Sequence, residues 1–518
     1  MNSMNYQEKS KKSIPGMPKA WTFGFQFVVL ILVLGILGTG VYFSYPYLNK
    51  VAKGSYADIR GGMNNFSGFA PGIWMNNGLT PNKDCRMYKE FGITAEFVVQ
   101  DDMNKLVSAL KSGELDFIFT TTDISPISMD ASGDLARMNV QQFLKIDDSR
   151  GADLFIVDES IKNIADLRGK KIACALGWPS NTLLHATLEA GGLTENDVEI
   201  VSFADPFAAK NAYISGNVDA TVVWSPDDVA CLQARRSRIL TSTEFMPNII
   251  MDGFIARKEV LEEKKEEFVA LSKAWLTANA EMAVASNMEA AAAVFKVAFN
   301  VEDPVKDVVA GMKMIHFATY GDNLNFFGLS TDFTGITGQM LYNKMSRVYK
   351  NGYGNNLSNI VPWSQASNPS IIQAISGLTG EMHAAESQVK FTPASSTIAS
   401  APAIATKRLT VNFATNSYIL TTEEKMNLDR DIAPYALELS GFRIRVEGNT
   451  DITGDRNMNI ELSKKRAQAV ADYLVSEYKF DRNRFVIVGN GPDKPVSDNS
   501  TEAGRAANRR TDFEFIAK

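Results

Sequence analysis

The chain has 518 residues, 45% hydrophobic and 22% charged, a globular composition with room for roughly two to four domains. Its formal charge is −6, and no basic stripe with interleaved aromatics occurs, which argues against a nucleic-acid partner. Cys85, Cys174 and Cys231 lack CxxC spacing, and His185, His316 and His383 lack HExxH spacing. Neither a metal site nor a disulfide scaffold is expected, the pairing of the cysteines stays open, and no cofactor is called for.

The first element is apolar. Trp21 to Ser44 (WTFGFQFVVLILVLGILGTGVYFS) holds no charge. As a helix it would be about 36 Å long, enough to span a bilayer core of ~30 Å. Lys9, Lys11, Lys12 and Lys19 precede it, against Glu8 alone. The positive-inside rule then leaves residues 1–20 as a cytoplasmic tail and 21–44 as a single-pass membrane anchor, with the rest outside. A cleaved signal peptide is the rival reading, but the apolar run exceeds the 7–15 residues usual for one. Gly35, Gly38 and Gly40 form no GxxxG pair, so helix dimerisation is not claimed.

From about 55 to 380 strand-like and helix-like stretches alternate. ITAEFVVQ (93–100) is a strand, and Met103–Gly113 carries Leu106, Val107 and Leu110 at helical spacing with Gly113 as the stop. LDFIFTT (115–121), ADLFIVD, KKIACAL, DVEIVSF and DATVVWS repeat the strand pattern, with helices near Asn181–Ala190 and Pro206–Ser215 between them. The alternation predicts an α/β domain with largely parallel sheets. Residues 264–299 turn helical. Residues 381–407, rich in Ala, Ser, Thr and Pro, read as a linker spanning about 29 Å as a coil. Residues 408–518 form a compact α+β unit.

Loops after strands supply candidate ligand contacts in the α/β region. Asn64, Phe66 and Trp74 lie on the earliest loop. Thr121, Thr122 and Asp123 end one strand, Trp178, Ser180 and Asn181 open a helix, and Trp224, Ser225 and Asp227 follow a third strand. Each has a plainer role available: Ser180 as an N-cap, the tryptophans as hinge packing, the aspartates as caps. The helix start suits an anion, and Asp123 and Asp227 suit an amine, so the solute class stays open between zwitterion and anion.

In VEGNTDITGDRNMNIELSKKRAQAV (446–470) a half-buried strand delivers Thr450 and Asp451 to its end. Ser463 reads as the N-cap of a helix whose stripe is Ala467, Val470, Ala471, Leu474 and Val475, placing Arg466 in the first turn. Asp451 and Arg466 could grip a zwitterion or simply pair with each other. No nucleophile–base pair is evident, so an enzyme is not expected.

This stretch, with VNFATNSYIL before it and TEAGRAANRRTDFEF after it, resembles the OmpA-like peptidoglycan-binding domain, also found in MotB-type and Pal-type proteins, over Leu409–Ile516. The resemblance implies that Asp451 meets the ammonium and Arg466 the carboxylate of diaminopimelate, with Thr450, Asn459 and Arg509 completing the pocket. Asn449 stands where that family usually has His. MotB-type proteins carry an acid in the membrane span. This span has none, so an ion-driven stator is not expected.

YKEFGITAEFVVQDDMNKLVSALKSGELDFIFTTTDISP, IADLRGKKIACALGWPSNTLLHATLEAGGLTENDVEIVSF and AAKNAYISGNVDATVVWSPDD resemble the type 2 periplasmic solute-binding proteins of the alkanesulfonate, nitrate and thiamine-precursor group. This resemblance, over about 75–378, implies two α/β lobes closing over a solute, the second lobe near 151–241. Together the two resemblances describe an inner-membrane-anchored periplasmic protein that binds a small solute and peptidoglycan and serves a membrane-protein partner as a fixed sensor or feeder. The alternative is an envelope scaffold whose binding module docks a protein instead of a solute.

Overall fold

In the computed structural model the described residues are 57–517, apart from 132, 352–356, 358, 412 and 415. The tail and the expected anchor at 21–44 lie outside them. No helix among the described residues is long and apolar enough to cross a membrane.

In the first lobe, strands β1 (Ile59–Met63), β2 (Ala95–Val99) and β3 (Phe117–Thr121) pair in parallel, with β1 in the middle. The helix Met103–Ser112 joins β2 to β3. Asp102 caps its start by accepting from the Asn104 N–H, and Gly113 ends it at φ 78°. Strand β4 (Val140–Ser149) is buried along its whole length and carries the chain toward the second lobe.

The second lobe holds β5 (Asp153–Asp158), β6 (Lys171–Ala175), β7 (Glu199–Phe203), β8 (Ala220–Trp224) and β9 (Ser237–Ser242), ordered β7-β6-β8-β5-β9. The chain returns as β10 (Met251–Arg257), which inserts antiparallel between β3 and β4, and β11 (Ile315–Phe317) edges β4. Both sheets are therefore mixed, not largely parallel. The physical reason is connectivity. A chain that leaves a lobe and later returns to it runs in opposite directions on the two passages, so β4 and β10 pair antiparallel, as do β5 and β9.

The first lobe's core is aromatic. Phe117 and Phe143 pack edge-on around Phe254, Phe268 and Trp275, with ring centres as close as 4.8 Å. Gly72 lets the neighbouring helix approach: a Cβ there would lie 2.2 Å from the Trp275 ring. Cys85, Cys174 and Cys231 are buried, unpaired thiols.

The C-terminal unit is a four-stranded sheet, β12 (Ala403–Leu409), β13 (Arg443–Asn449), β14 (Phe485–Gly491) and β15 (Thr511–Ile516), ordered β12-β15-β13-β14. The helix Arg456–Tyr478 packs across β13 and β14. Two expectations change here. β12 begins at Ala403, inside the stretch read as linker, because its backbone completes the edge of β15. The remainder of that stretch is docked and not a free coil: Glu386 pairs with Arg150, Gln388 Nε2 donates to the Tyr478 carbonyl, and Phe391 is buried under the Arg443 guanidinium.

The C-terminal unit packs on both lobes. Phe442 stacks on Phe245 at 4.7 Å, and the Gly441 N–H donates to the Phe245 carbonyl. Lys344, on the first-lobe helix Gly338–Asn351, reaches Glu189 of the second lobe and Glu438 of the C-terminal unit, both at 2.7 Å. One ammonium thus ties three bodies. Lys344→Ala leaves Glu438 as an unpaired, largely buried carboxylate. Stability should fall by about 2–3 kcal/mol, below the cost of breaking a wholly buried pair because the junction is partly open. Urea denaturation of the full chain, compared with Lys344→Met, measures it.

Candidate functional site

Two places gather chemistry. The first is the seam between the lobes. β3 ends in Thr121, and the chain turns through Thr122 and Asp123 into the seam. From the other lobe, Trp178 is the N-cap and Pro179 the first residue of the helix Pro179–Ala190. Its first turn meets Asp123: the Thr182 hydroxyl donates to Asp123 Oδ2 at 2.6 Å across the lobes. Asp123 Oδ1 has no partner, nor have Ser180 Oγ, both amide atoms of Asn181, the Tyr349 hydroxyl, Thr121 Oγ1 or Asn64 Oδ1. Buried polar atoms are normally satisfied, so a run of unmet ones on both walls of one seam marks a place built for something else.

The seam is also acidic. Asp252 on β10 lies opposite both Thr121 on β3 and Asp147 on β4. Asp147 is fully buried with the Asp252 carboxyl as its hydrogen-bonding neighbour, and Oδ2 sits against Gly68, whose missing Cβ makes the room. Burial pushes Asp123 up to about 8, against the Thr182 hydrogen bond, and Asp147 up to about 7. Asp252 rises well above the usual range through burial and the charge of Asp147. Burial lifts Asp153 to about 6 although Ser149 donates to it. Asp148 goes the other way: burial pulls it up, but Arg150 and Lys145 outweigh that and hold it well below the carboxylate range.

Several expected contacts are engaged by the protein itself. Trp74 packs beneath the Arg86 guanidinium and beside Met282 and Phe295, because the helix Ala70–Asn76 turns that face to its helical neighbours. Thr122 spends its hydroxyl on Gln142. Asp227 is paired with Lys210 at 2.6 Å, so it is not free for an amine. Ser225 gives its N–H to the Ala152 carbonyl. Ser180 is not the N-cap, since the helix starts one residue earlier. Trp178 and Trp224 do come together, with ring centres 5.8 Å apart, and Phe66 lies beside Gly68 and Asp147. Sequence reading missed Asp147, Asp252 and Tyr349. The usable signal was an acid inside an apolar strand, as in KIDDS and IIMDGF.

The second place is the end of β13. Asp451 accepts from the Thr453 N–H through Oδ1 and from Arg509 through Oδ2 at 2.7 Å. Burial would raise it, but Arg509 and Thr453 prevail and hold it below its ordinary value. Thr450 anchors the loop by donating its N–H to the Gly491 carbonyl, and Asn459 holds it through the Thr453 carbonyl. Arg466 lies over the Phe413 ring and donates to the Ser417 carbonyl, leaving its charge without a direct ion pair among the described residues. The five expected residues therefore line one loop and its flanks, with Asp451 paired to Arg509 and not to Arg466. The helix geometry differs from expectation. Asp455 is the N-cap, accepting from the Met458 N–H, so Arg466 stands turns inside the helix. Ser463 is interior, and its hydroxyl accepts from the Gly491 N–H, which fastens the helix to β14. Asn449 is buried and donates to the Glu447 carbonyl and to Asp512.

A further depression opens where the first lobe, the docked linker and the C-terminal unit meet, lined by Arg150, Asp322, Glu386 and Arg484. Its charges are engaged: Arg150 with Asp148 and Glu386, Asp322 with His316, Arg484 with three backbone carbonyls.

With both geometries described, comparison with known proteins is direct. Residues 412–509 match the OmpA family, and residues 87–287 match the family described as NMT1/THI5 like. The chain joins a binding-protein-like module to an OmpA-family module. Outer membrane porin F of Pseudomonas aeruginosa is 40% identical over 89 residues, 17% of this chain and 25% of that protein. An Escherichia coli protein named "Putative aliphatic sulfonates-binding protein" is 34% identical over 139 residues, 26% of this chain and 41% of that one. The chain thus spans well under two thirds of either relative. The solved periplasmic aliphatic sulphonate binding protein of Escherichia coli aligns over 60% of this chain and 96% of its own, at 19% identity and TM-score 0.45.

The raised seam carboxylates set a pH dependence. Each binds its proton more tightly folded than unfolded, where a carboxyl titrates near 4. Their favourable contribution is complete below the unfolded value and is lost as pH rises through the folded values, cited here as about 6, 7 and 8. Stability of the ligand-free chain should therefore fall between about pH 4 and pH 8. Asp123→Asn should flatten the upper part of that slope and stabilise the chain at pH 8, as read by thermal unfolding across pH.

Proposed function

We propose that this chain is a tethered binding protein of the bacterial envelope. It holds a small solute between its two lobes and grips the diaminopimelate of peptidoglycan through its C-terminal domain. The observation that carries the reading is the doubly lined seam, in which unbonded polar atoms from both lobes face each other where a two-lobed module closes. At the other end, Asp451 on the loop after β13 offers a carboxylate and Arg466 on the following helix a guanidinium without an ion pair among the described residues, the complement of a zwitterion. The apolar stretch 21–44, preceded by four lysines, supports a single inner-membrane anchor with the N-terminus cytoplasmic. Held at both ends, such a protein suits a fixed sensor or feeder for a membrane partner better than a diffusing shuttle. The reading is of a binding protein and not of an enzyme.

Two measurements test this. Asp451→Ala combined with Arg466→Ala should reduce co-sedimentation with diaminopimelate-type sacculi to background, and normal sedimentation of that variant would sink the site. Full-length protein should partition with inner membranes and withstand carbonate extraction. Deleting residues 1–50 should release it. A deletion variant still extracted only by detergent would remove the anchor from the proposal.

A further inference from the structure

The seam carries a charge pattern that narrows the solute, and this narrowing rests on the solute-binding reading above. Three carboxyl groups, Asp123, Asp147 and Asp153, lie fully or almost fully buried where the lobes meet, and the half-buried Asp252 stands opposite Asp147. None forms an ion pair among the described residues. The nearby cations are committed elsewhere: Lys145 and Arg150 to Asp148, and Lys210 to Asp227.

An anion is poorly served at this place. The helix start that could receive one is fronted by the chain's own Asp123, bonded to Thr182 in its first turn. The Trp178 indole N–H is spent on the Ala204 carbonyl. A sulfonate or nitrate entering the seam would meet carboxylates with no guanidinium or ammonium to answer it.

A second, independent set of groups points the same way. The Tyr349 hydroxyl is buried beside Asn181 and Thr182 and near the Asp123 carboxyl, and neither it nor the Asn181 amide makes a hydrogen bond of good geometry. Asn181 Oδ1 and Asp123 Oδ1 are acceptors without a well-placed donor, the Tyr349 hydroxyl can accept as well as donate, and Asp147 faces only the Asp252 carboxyl. Such a set is completed by a ligand rich in N–H. A metal ion does not fit, since no three His, Cys, Asp or Glu side chains among the described residues converge at ligand spacing. The Trp178–Trp224 ring pair beside this helix start adds π faces that favour an organic cation.

We propose that the solute held between the lobes is an organic amine, a cation whose N–H groups are received by Asp123 and Asp147, with Asp252 behind them. The chemistry separates this chain from a sulfonate binder of similar architecture.

The test uses the full chain in detergent. Its thermal unfolding is recorded with putrescine, ethanolamine and tetramethylammonium, and separately with ethanesulfonate and nitrate. Putrescine or ethanolamine should raise the unfolding temperature by a few degrees, and the two anions should leave it unmoved. Tetramethylammonium, which has no N–H, should be weaker than either. Asp123→Asn and Asp147→Asn should each weaken amine binding roughly tenfold or more, while at pH 9, above the folded values of both groups, the ligand-free proteins unfold no earlier than wild type, because a buried charge without an ion pair has been removed. A shift with ethanesulfonate or nitrate and none with amines would overturn the amine assignment and leave the solute-binding reading standing. No shift with either charge class would overturn both.

Discussion

Everything in the binding module depends on two neighbouring passages of the chain between its lobes. β4 carries the chain out and β10 carries it back, and they lie antiparallel in one sheet. Because the chain crosses twice, the lobes are joined at a narrow place where the backbone is held by ladder hydrogen bonds and the side chains are shut away from water. Asp147, Asp148 and Asp252 sit on those strands. Burying carboxylates there is costly, and the molecule meets the cost in two ways. Asp148 is answered by Lys145 and Arg150, whereas Asp147 and Asp252 are left to share their repulsion. The paired acid is structural in character. Asp147 and Asp252 instead hold their protons to higher pH and stay without an ion pair among the described residues.

The C-terminal unit constrains the same lobes from outside. Lys344 bridges Glu189 and Glu438, and Phe442 lies on Phe245 next to the returning passage. Motion of one lobe against the other must therefore strain contacts with the unit that carries Asp451 and Arg466. The docked stretch before β12 acts in the same sense, since Glu386 holds Arg150, itself bonded to Asp148 on the outgoing strand. A short chain of charged groups runs from the hinge to the docked stretch before β12.

Much of this was legible in one dimension. The strands at 93–100, 115–121 and 219–225 were marked by short apolar runs, and the helix Met103–Ser112 by its spacing, its cap and its glycine stop. The loop at Asp451 was legible because its partners follow a long ordered motif. Legibility failed where a local rule had two solutions. Ser463 looked like a cap because serine followed by a helical stripe usually is one, yet Asp455 offered the same bond eight residues earlier. Ala403–Leu409 looked like linker because its composition is weak, yet an open edge on β15 recruited it.

Composition and local periodicity, which act through neighbours in the chain, determined that there is an alternating α/β region, a C-terminal α+β unit and an apolar N-terminal stretch, and the division into two lobes followed only from the resemblance. Tertiary structure alone decided which polar groups were satisfied. Thr122, Asp227 and Trp74 were drawn into internal contacts, while Asp123, Asp147, Asn181 and Tyr349, from distant points in the sequence, were buried with polar atoms left short of a well-formed hydrogen bond. The reason is physical: a hydrogen bond or ion pair depends on a few ångströms of separation across the fold, and that distance is set by how whole strands and helices pack.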